Sequence, residues 1–341
     1  MKKLVSTAAC LLLAVLLSGC ARKAMVLVTQ YGPNDPRVAE MESAIRKQMA
    51  AENVPIAFKT VNMDIVGQPN PVWIEQQGYL AVSTIDAWKA EIVLIAGDET
   101  ARHFAMKMIG KPFKMIYFDL VANPESYKLA SSGQAGGVVA DVPVREAFAG
   151  MKELVTNAQG VAVLADNSLE GDAIVAKIHE MKDLAVPVVL VKRAGTLAEW
   201  MAAVKEIQGK ADLLCIPSYS MVLPEKESLT SVPGAELLRM TAAVNRLPDF
   251  SFWKEAVGPN GVMAAWVVPV SVQAAQATRM AADLLYYNSS LDSQPVLCST
   301  HSLLVDADRA AAVGVTLPAR LLPPLPPAKD EAAGKEAPPA K

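Results

Sequence analysis

The sequence predicts an α/β protein with two open, doubly wound parallel sheets. Short apolar runs of strand length alternate with segments whose apolar residues recur at helical spacing, the pattern of parallel strands flanked by helices. The alternation pauses at "GQAGGVVADVPV" and then restarts, so the chain carries two such series. A hydrophobic content of 52% is enough for strands buried on both faces.

The first series opens with the strand "MVLVT" near 25–30. Asp35 and Pro36 then start a helix, the aspartate as N-cap and the proline at the first helical position, where its missing N–H costs nothing. Val38, Met41, Ile45 and Met49 mark the buried face of that helix. A strand follows near 55–63, then a helix near 72–89 begun by Pro71. Ile92–Ala96 is the next strand, followed by a helix near 99–109 and the strand Lys114–Leu120. Gly136 and Gly137 precede an apolar strand instead of opening a helix, and read as hinge backbone.

In the second series Pro143 starts a helix and Val161–Ala165 is a strand ending in "DNSLEGD". A helix near 171–184 and a strand near 186–191 follow. Thr196 and Glu199 form a capping box, each side chain satisfying a free N–H at a helix start. That helix leads to a strand near 212–216 and the loop Pro217-Ser218-Tyr219-Ser220. A helix near 233–246, a strand near 262–268, a helix near 271–287, a strand near 295–305 and a short helix near 306–313 complete the body. Open parallel sheets bind ligands beyond the carboxyl ends of their strands. The loops after Val28, Ile95, Phe118, Leu164 and Ile216 are therefore the candidate functional edges.

The ends read differently. Lys2 and Lys3, an apolar run at 11–17 and then Leu17-Ser18-Gly19-Cys20 have the layout of a signal peptide over 1–19, the run being too short to span a bilayer. Without residues 1–19 the chain keeps 30 basic and 35 acidic side chains, a formal net charge of −5. That balance gives no basic footprint for nucleic acid. The last 21 residues hold six prolines and little that packs, so 322–341 reads as a disordered tail. Beyond Cys10 and Cys20, only Cys215 and Cys298 remain. Two states are open to them: a bridge, which an oxidising compartment permits, or two buried thiols.

No nucleophile elbow, zinc-binding His or Cys spacing, or phosphate-binding glycine motif occurs, and His103, His179 and His301 are the only histidines. No cofactor is expected. In "IAGDETARHF" the acids Asp98 and Glu99 have three readings: a general-acid pair, caps on the first turn of a helix, or the lip of a binding cleft. Tyr31, Phe118, Tyr219, Phe252 and Trp253 fall in or beside the edge loops, and aromatic walls with a few polar groups describe a small-molecule pocket.

Order and loops together resemble the ABC transporter substrate-binding proteins of the tryptophan/tyrosine type. The resemblance runs over 25–318 through "MVLVTQYGPNDP", "AEIVLIAGDETA", "GGVVADVPVREAFAGMKEL", "VAVLADNSLEGD", "ADLLCIPSYSMV", "RLPDFSFWKEAVGPNGVMAAWVV" and "DADRAAAVGVTLP". It implies the type I periplasmic binding protein fold: two Rossmann-like domains joined by a three-segment hinge. Domain one would hold 25–139 and 270–294, domain two 140–269 and 295–321. It places Tyr31, Asp98, Thr100, Asn167, Ser168, Ser218 and Tyr219 at cleft loops. Relatives often read Gly-Tyr-x-Gln-Gly where this chain has Val270-Ser271-Val272-Gln273-Ala274, which leaves Gln273 as a hinge or ligand contact. "LSGC" resembles a bacterial lipobox, with Cys20 lipidated.

The resulting expectation is a non-enzyme. It is a lipid-anchored protein that captures a small polar or aromatic solute, such as an amino acid, for an ABC permease. The alternative is a sensory or assembly lipoprotein with the same fold and no transport role. Ala21 after the cysteine, where an acid would signal inner-membrane retention, points to the outer membrane of a Gram-negative cell.

Overall fold

The computed structural model describes residues 23–287 and 289–321. The expected leader at 1–19, Cys20 and the expected tail at 322–341 lie outside the described residues.

Strand and helix alternate as β1 (Ala24–Thr29), α1 (Pro36–Ala51), β2 (Ala57–Asn62), α2 (Pro71–Trp88), β3 (Ile92–Ala96), α3 (Asp98–His103), β4 (Lys114–Leu120) and β5 (Ala135–Ala140). The series resumes with α4 (Val144–Leu154), β6 (Val161–Ala165), α5 (Leu169–Glu180), β7 (Val188–Arg193), α6 (Leu197–Ile207) and β8 (Leu213–Ser218). After these come α7 (Gly234–Val244), β9 (Asp249–Ser251), β10 (Ala264–Val267) and α8 (Val270–Tyr286). The strands β11 (Val296–Cys298) and β12 (Ser302–Val305) and the helix α9 (Ala307–Ala312) end the described chain.

Two six-stranded sheets result, ordered β11-β5-β4-β3-β1-β2 and β12-β10-β9-β8-β6-β7. Every pairing is parallel except β10 with β12. Each sheet is buried on both faces, with successive side chains of a strand entering different cores. Val26 and Val28 join Ile95, Phe104 and Met115, while Met25 and Leu27 join Met41, Ile45 and Phe118. In the second sheet Val161 and Val163 pack with Phe148, Phe250 and Trp266, and Ala162 and Leu164 with Trp200 and Leu237. Full burial of such side chains is worth roughly 1.5–3 kcal/mol each. Local signals work as read: Asp35 accepts the N–H of Arg37 ahead of Pro36, and the Thr196–Glu199 capping box is complete.

The chain passes between the two lobes three times, at 141–143, 268–269 and 299–301. The last crossing differs from the expected one. The strand expected at 295–305 is two strands in two sheets, so the boundary expected at 294/295 falls before β11, which is still part of the first sheet. The three residues of β9 are too few for any periodicity to show. The helix expected at 99–109 stops at His103 and continues as a 3₁₀ turn, Ala105–Met108, around the buried Phe104.

Gly136 and Gly137 lie inside β5, not in a hinge. A Cβ on Gly137 would stand 2.0 Å from the Tyr117 carbonyl oxygen, so the glycine serves close strand approach. Cys215 and Cys298 are buried free thiols in the cores of different lobes. Among the described residues no helix is long and apolar enough to cross a membrane.

Candidate ligand cleft

The lobes meet at the loops beyond the carboxyl ends of their strands. Glu99 Oε1 accepts the N–H of Leu169, at the start of α5, at 3.0 Å. Ser231 reaches the first lobe twice: its hydroxyl donates to the Val66 carbonyl at 2.7 Å and its N–H to the Gly67 carbonyl at 2.9 Å. Lys254 pairs with Glu40 at 3.2 Å, near the crossings. The lobes are thus closed on one another by bonds from several loops.

Between these contacts lies a charged centre. From the first lobe come Tyr31, Arg37 and Asp119. The Tyr31 hydroxyl donates to Asp119 Oδ2 at 2.8 Å, and Arg37 Nη1 donates to that hydroxyl at 3.2 Å. The guanidinium also stacks over the Tyr31 ring, 3.9 Å from its centroid, and pairs with Asp35. Asp119 lies within a bulged stretch of β4 with a left-handed φ of +58°, and its N–H donates to Gln273 Oε1 at 3.1 Å. This is costly backbone for an aspartate, and it turns a side chain from an apolar strand into the cleft. Burial pushes the Asp119 carboxyl up to about 7, against the pull of Arg37 and the Tyr31 hydroxyl.

From the second lobe come Glu170, in the first turn of α5, Tyr219 after β8, and Glu255. Glu170 is only 7% exposed and has no hydrogen-bond partner among the described residues. Burial raises its carboxyl well above the usual range, with Arg37 opposing and Asp119, Asp98 and Asp166 adding to the rise. Burial likewise raises the Tyr219 phenol, which also feels Arg37, Glu255 and Glu170. A cavity of about 210 Å³ is lined by Arg37, Asp119, Trp253, Glu255 and the crossing at Val268–Pro269. A trough of about 580 Å³ shares Arg37 and Glu255 with that cavity and is lined also by Asp35, Asp64, Tyr219 and Pro233.

Of the residues expected at the cleft, Tyr219 lines the trough, and Tyr31, 1% exposed, bonds Asp119 and Arg37. Gln273 supports Asp119 from α8. Asp98 faces elsewhere: its oxygens accept from the N–H groups of Val121 and Ala122 and from the Tyr127 hydroxyl, at 2.9–3.1 Å. Burial still lifts its carboxyl to about 6 against those three donors. Nor does Asp98 cap α3. The cap position is Gly97, at φ +91°, and the free N–H of Glu99 goes to Gln30 Oε1, whose side chain leaves no room there for a Cβ. Thr100 and Ser218 are buried with hydroxyls lacking partners among the described residues, the latter against Gly171. Ser168 is the N-cap of α5, and Asn167 is exposed beside Gly195.

Arg37, Asp119, Glu170 and Glu255 do not stand out in the sequence as cleft residues. Asp119 leaves a signal there, the one charge inside the run "MIYFDL". Arg37 and Glu170 sit in first turns of helices, where polar residues are ordinary.

Solved structures share this architecture. One is described as the ABC domain in complex with L-Trp from Streptococcus pneumonia, with a TM-score of 0.70 at 15% identity over 88% of this chain and 97% of that one. A substrate-binding protein with adhesive properties from Clostridium difficile, in a ligand-free open structure, gives 0.60 at 16% identity over 87% and 96%. The Caulobacter myo-inositol binding protein with myo-inositol bound gives 0.54 at 14% identity over 87% and 99%. No protein-family model and no curated sequence matches the chain. The fold is that of the type I periplasmic binding proteins.

Proposed function

We propose that the protein is a non-enzymatic solute-binding component of the cell envelope, which captures a small polar or aromatic molecule between its lobes and presents it to an ABC importer. The observation that carries this reading is a cleft whose centre draws Tyr31, Arg37 and Asp119 from one lobe and Glu170, Tyr219 and Glu255 from the other. A ligand touching both sets stabilises closure, and closure is the signal a permease can read. Neighbours of this fold described with L-Trp or myo-inositol agree in ligand size while differing in ligand chemistry. Lipid attachment at Cys20 would hold the protein at a membrane. Ala21 favours the outer membrane, and an outer-membrane anchor would favour a sensory or assembly role, since it separates the protein from an inner-membrane permease.

The test is native mass spectrometry of protein purified without refolding, followed by scattering before and after the carried solute is removed. A bound small molecule and a larger radius of gyration on its removal are expected. A protein that carries nothing and does not change dimensions with any solute would overturn the reading.

A further inference from the structure

The cleft holds more acidic groups than basic ones. Arg37 is committed to Asp35, to the Tyr31 hydroxyl and to the Tyr31 ring. Lys254 is committed to Glu40. The charged cleft groups left with spare capacity are acids. Glu170 has neither an ion pair nor a hydrogen bond among the described residues, and the same is true of Glu255. Asp119 receives the Tyr31 hydroxyl on one oxygen and is 5% exposed. Both cleft cavities are lined by more carboxylates than cations.

We propose that the solute recognised here bears a cationic nitrogen, a protonated amine or a guanidinium, held by Glu170 and Asp119 with Glu255 beside them. The inference rests on the solute-binding reading above and names the chemistry of its ligand. A neutral polyol would hydrogen-bond these carboxyl groups but would not favour their ionised form in a closed, poorly hydrated cleft, as a cation does. An anionic solute would have to compete with Asp35 and Tyr31 for Arg37 while facing three acids. A cation satisfies the unpartnered Glu170 directly. Glu170 occupies the first turn of α5, where negative charge is favourable, but no donor among the described residues bonds its side chain, and the residue is only 7% exposed. Its burial without a partner is intelligible as a site awaiting one.

Because burial holds the Asp119 proton to about pH 7, a cation that needs the ionised form displaces it. Amine affinity should then weaken about tenfold between pH 8 and pH 6.

The experiment uses the mature protein freed of carried solute, screened by thermal shift and then calorimetry. Three sets of probes are compared: amines (tyramine, putrescine, agmatine), neutral polyols (myo-inositol, glucose) and carboxylates (4-hydroxyphenylacetate, succinate). Stabilisation by at least one amine is expected, with proton release on binding. Glu170→Gln should lower that amine's affinity about ten- to hundredfold, the span of a charge-assisted hydrogen bond, while raising the melting temperature of the empty protein. Glu255→Gln, at a half-buried position, serves as a second variant with a smaller loss. Polyols or carboxylates stabilising the protein instead, with affinity unchanged in Glu170→Gln, would overturn the cationic ligand and leave solute capture standing. Stabilisation by no set, with scattering unchanged throughout, would overturn both.

Discussion

Glu99 of the first lobe accepts, at 3.0 Å, the N–H of Leu169, the first residue of α5 in the second lobe. The carboxylate is 4% exposed and sits at a helix start, where the free N–H groups and the dipole both favour negative charge. His103 Nε2 lies 3.4 Å from its other oxygen. The acid thus closes the molecule by capping a helix in the opposite lobe, and Glu170 follows Leu169 directly in that helix. Glu99→Ala removes the bond without disturbing either core. A hydrogen bond to a charged group is worth about 1.5–3 kcal/mol, so the open form should gain roughly ten- to hundredfold over the closed one. The check is scattering: a larger radius of gyration than wild type, with weaker solute binding and nearly unchanged unfolding of the lobes. An unaltered radius would mean that Ser231 and its partners hold the lobes by themselves.

Asp98, one residue earlier, has a different part. Three donors converge on its carboxylate from the loop after β4 and from Tyr127. Asparagine keeps one acceptor oxygen and sets an NH₂ group against a donor, so Asp98→Asn should destabilise the protein by roughly 1–3 kcal/mol. Urea unfolding of the solute-free protein measures it. Solute affinity in the folded fraction should stay close to wild type, in contrast to Glu170→Gln.

These two neighbours show what can be read from sequence and what cannot. The buried strands, the Asp35–Pro36 helix start and the Thr196–Glu199 box are local signals, decided within a few residues, and they hold in the structure. That "GDETARHF" lies at the carboxyl edge of a strand is equally legible. Which way each acid points is not, because Asp98 is claimed by Val121, Ala122 and Tyr127, and Glu99 by Leu169 in the other lobe. The same limit applies to Asp119, whose place in the cleft depends on a left-handed φ and a bulge that strand alternation does not foretell. The split of 295–305 into β11 and β12 is likewise set by which sheet each half completes.

The anchor at Cys20 is tested separately, from the "LSGC" sequence. Cys20→Ala should move the protein from the membrane fraction to the soluble one, since a side chain that cannot be lipidated supplies no acyl chain to bury in lipid. Retention of the variant on membranes after detergent-free washing would show that "LSGC" is not a lipobox.

The cleft acids also set how stability depends on pH. Burial pushes the Asp119 carboxyl up to about 7 from an ordinary 3.8, with Arg37 and the Tyr31 hydroxyl opposing. Between those values the folded protein holds a proton that the unfolded chain has released. The resulting stabilisation is complete below about pH 4 and is lost as pH rises through 7. Glu170 is raised in the same direction and adds to the effect. Carboxylates that the fold holds low act elsewhere: Glu206, bonded to Lys192 and Lys210, lies below its ordinary 4.5 and gives no slope above it. The solute-free protein should therefore melt at a higher temperature at pH 5 than at pH 8. For Asp119 the difference amounts to roughly 2–4 kcal/mol, because a tenfold change in proton affinity on folding is worth about 1.4 kcal/mol. Asp119→Asn keeps an acceptor for the Tyr31 hydroxyl but cannot ionise, so it should flatten the slope and raise the melting temperature at pH 8. A wild-type protein whose stability instead rises from pH 5 to pH 8 would show that Asp119 is ionised throughout, with Arg37 outweighing the cost of burial.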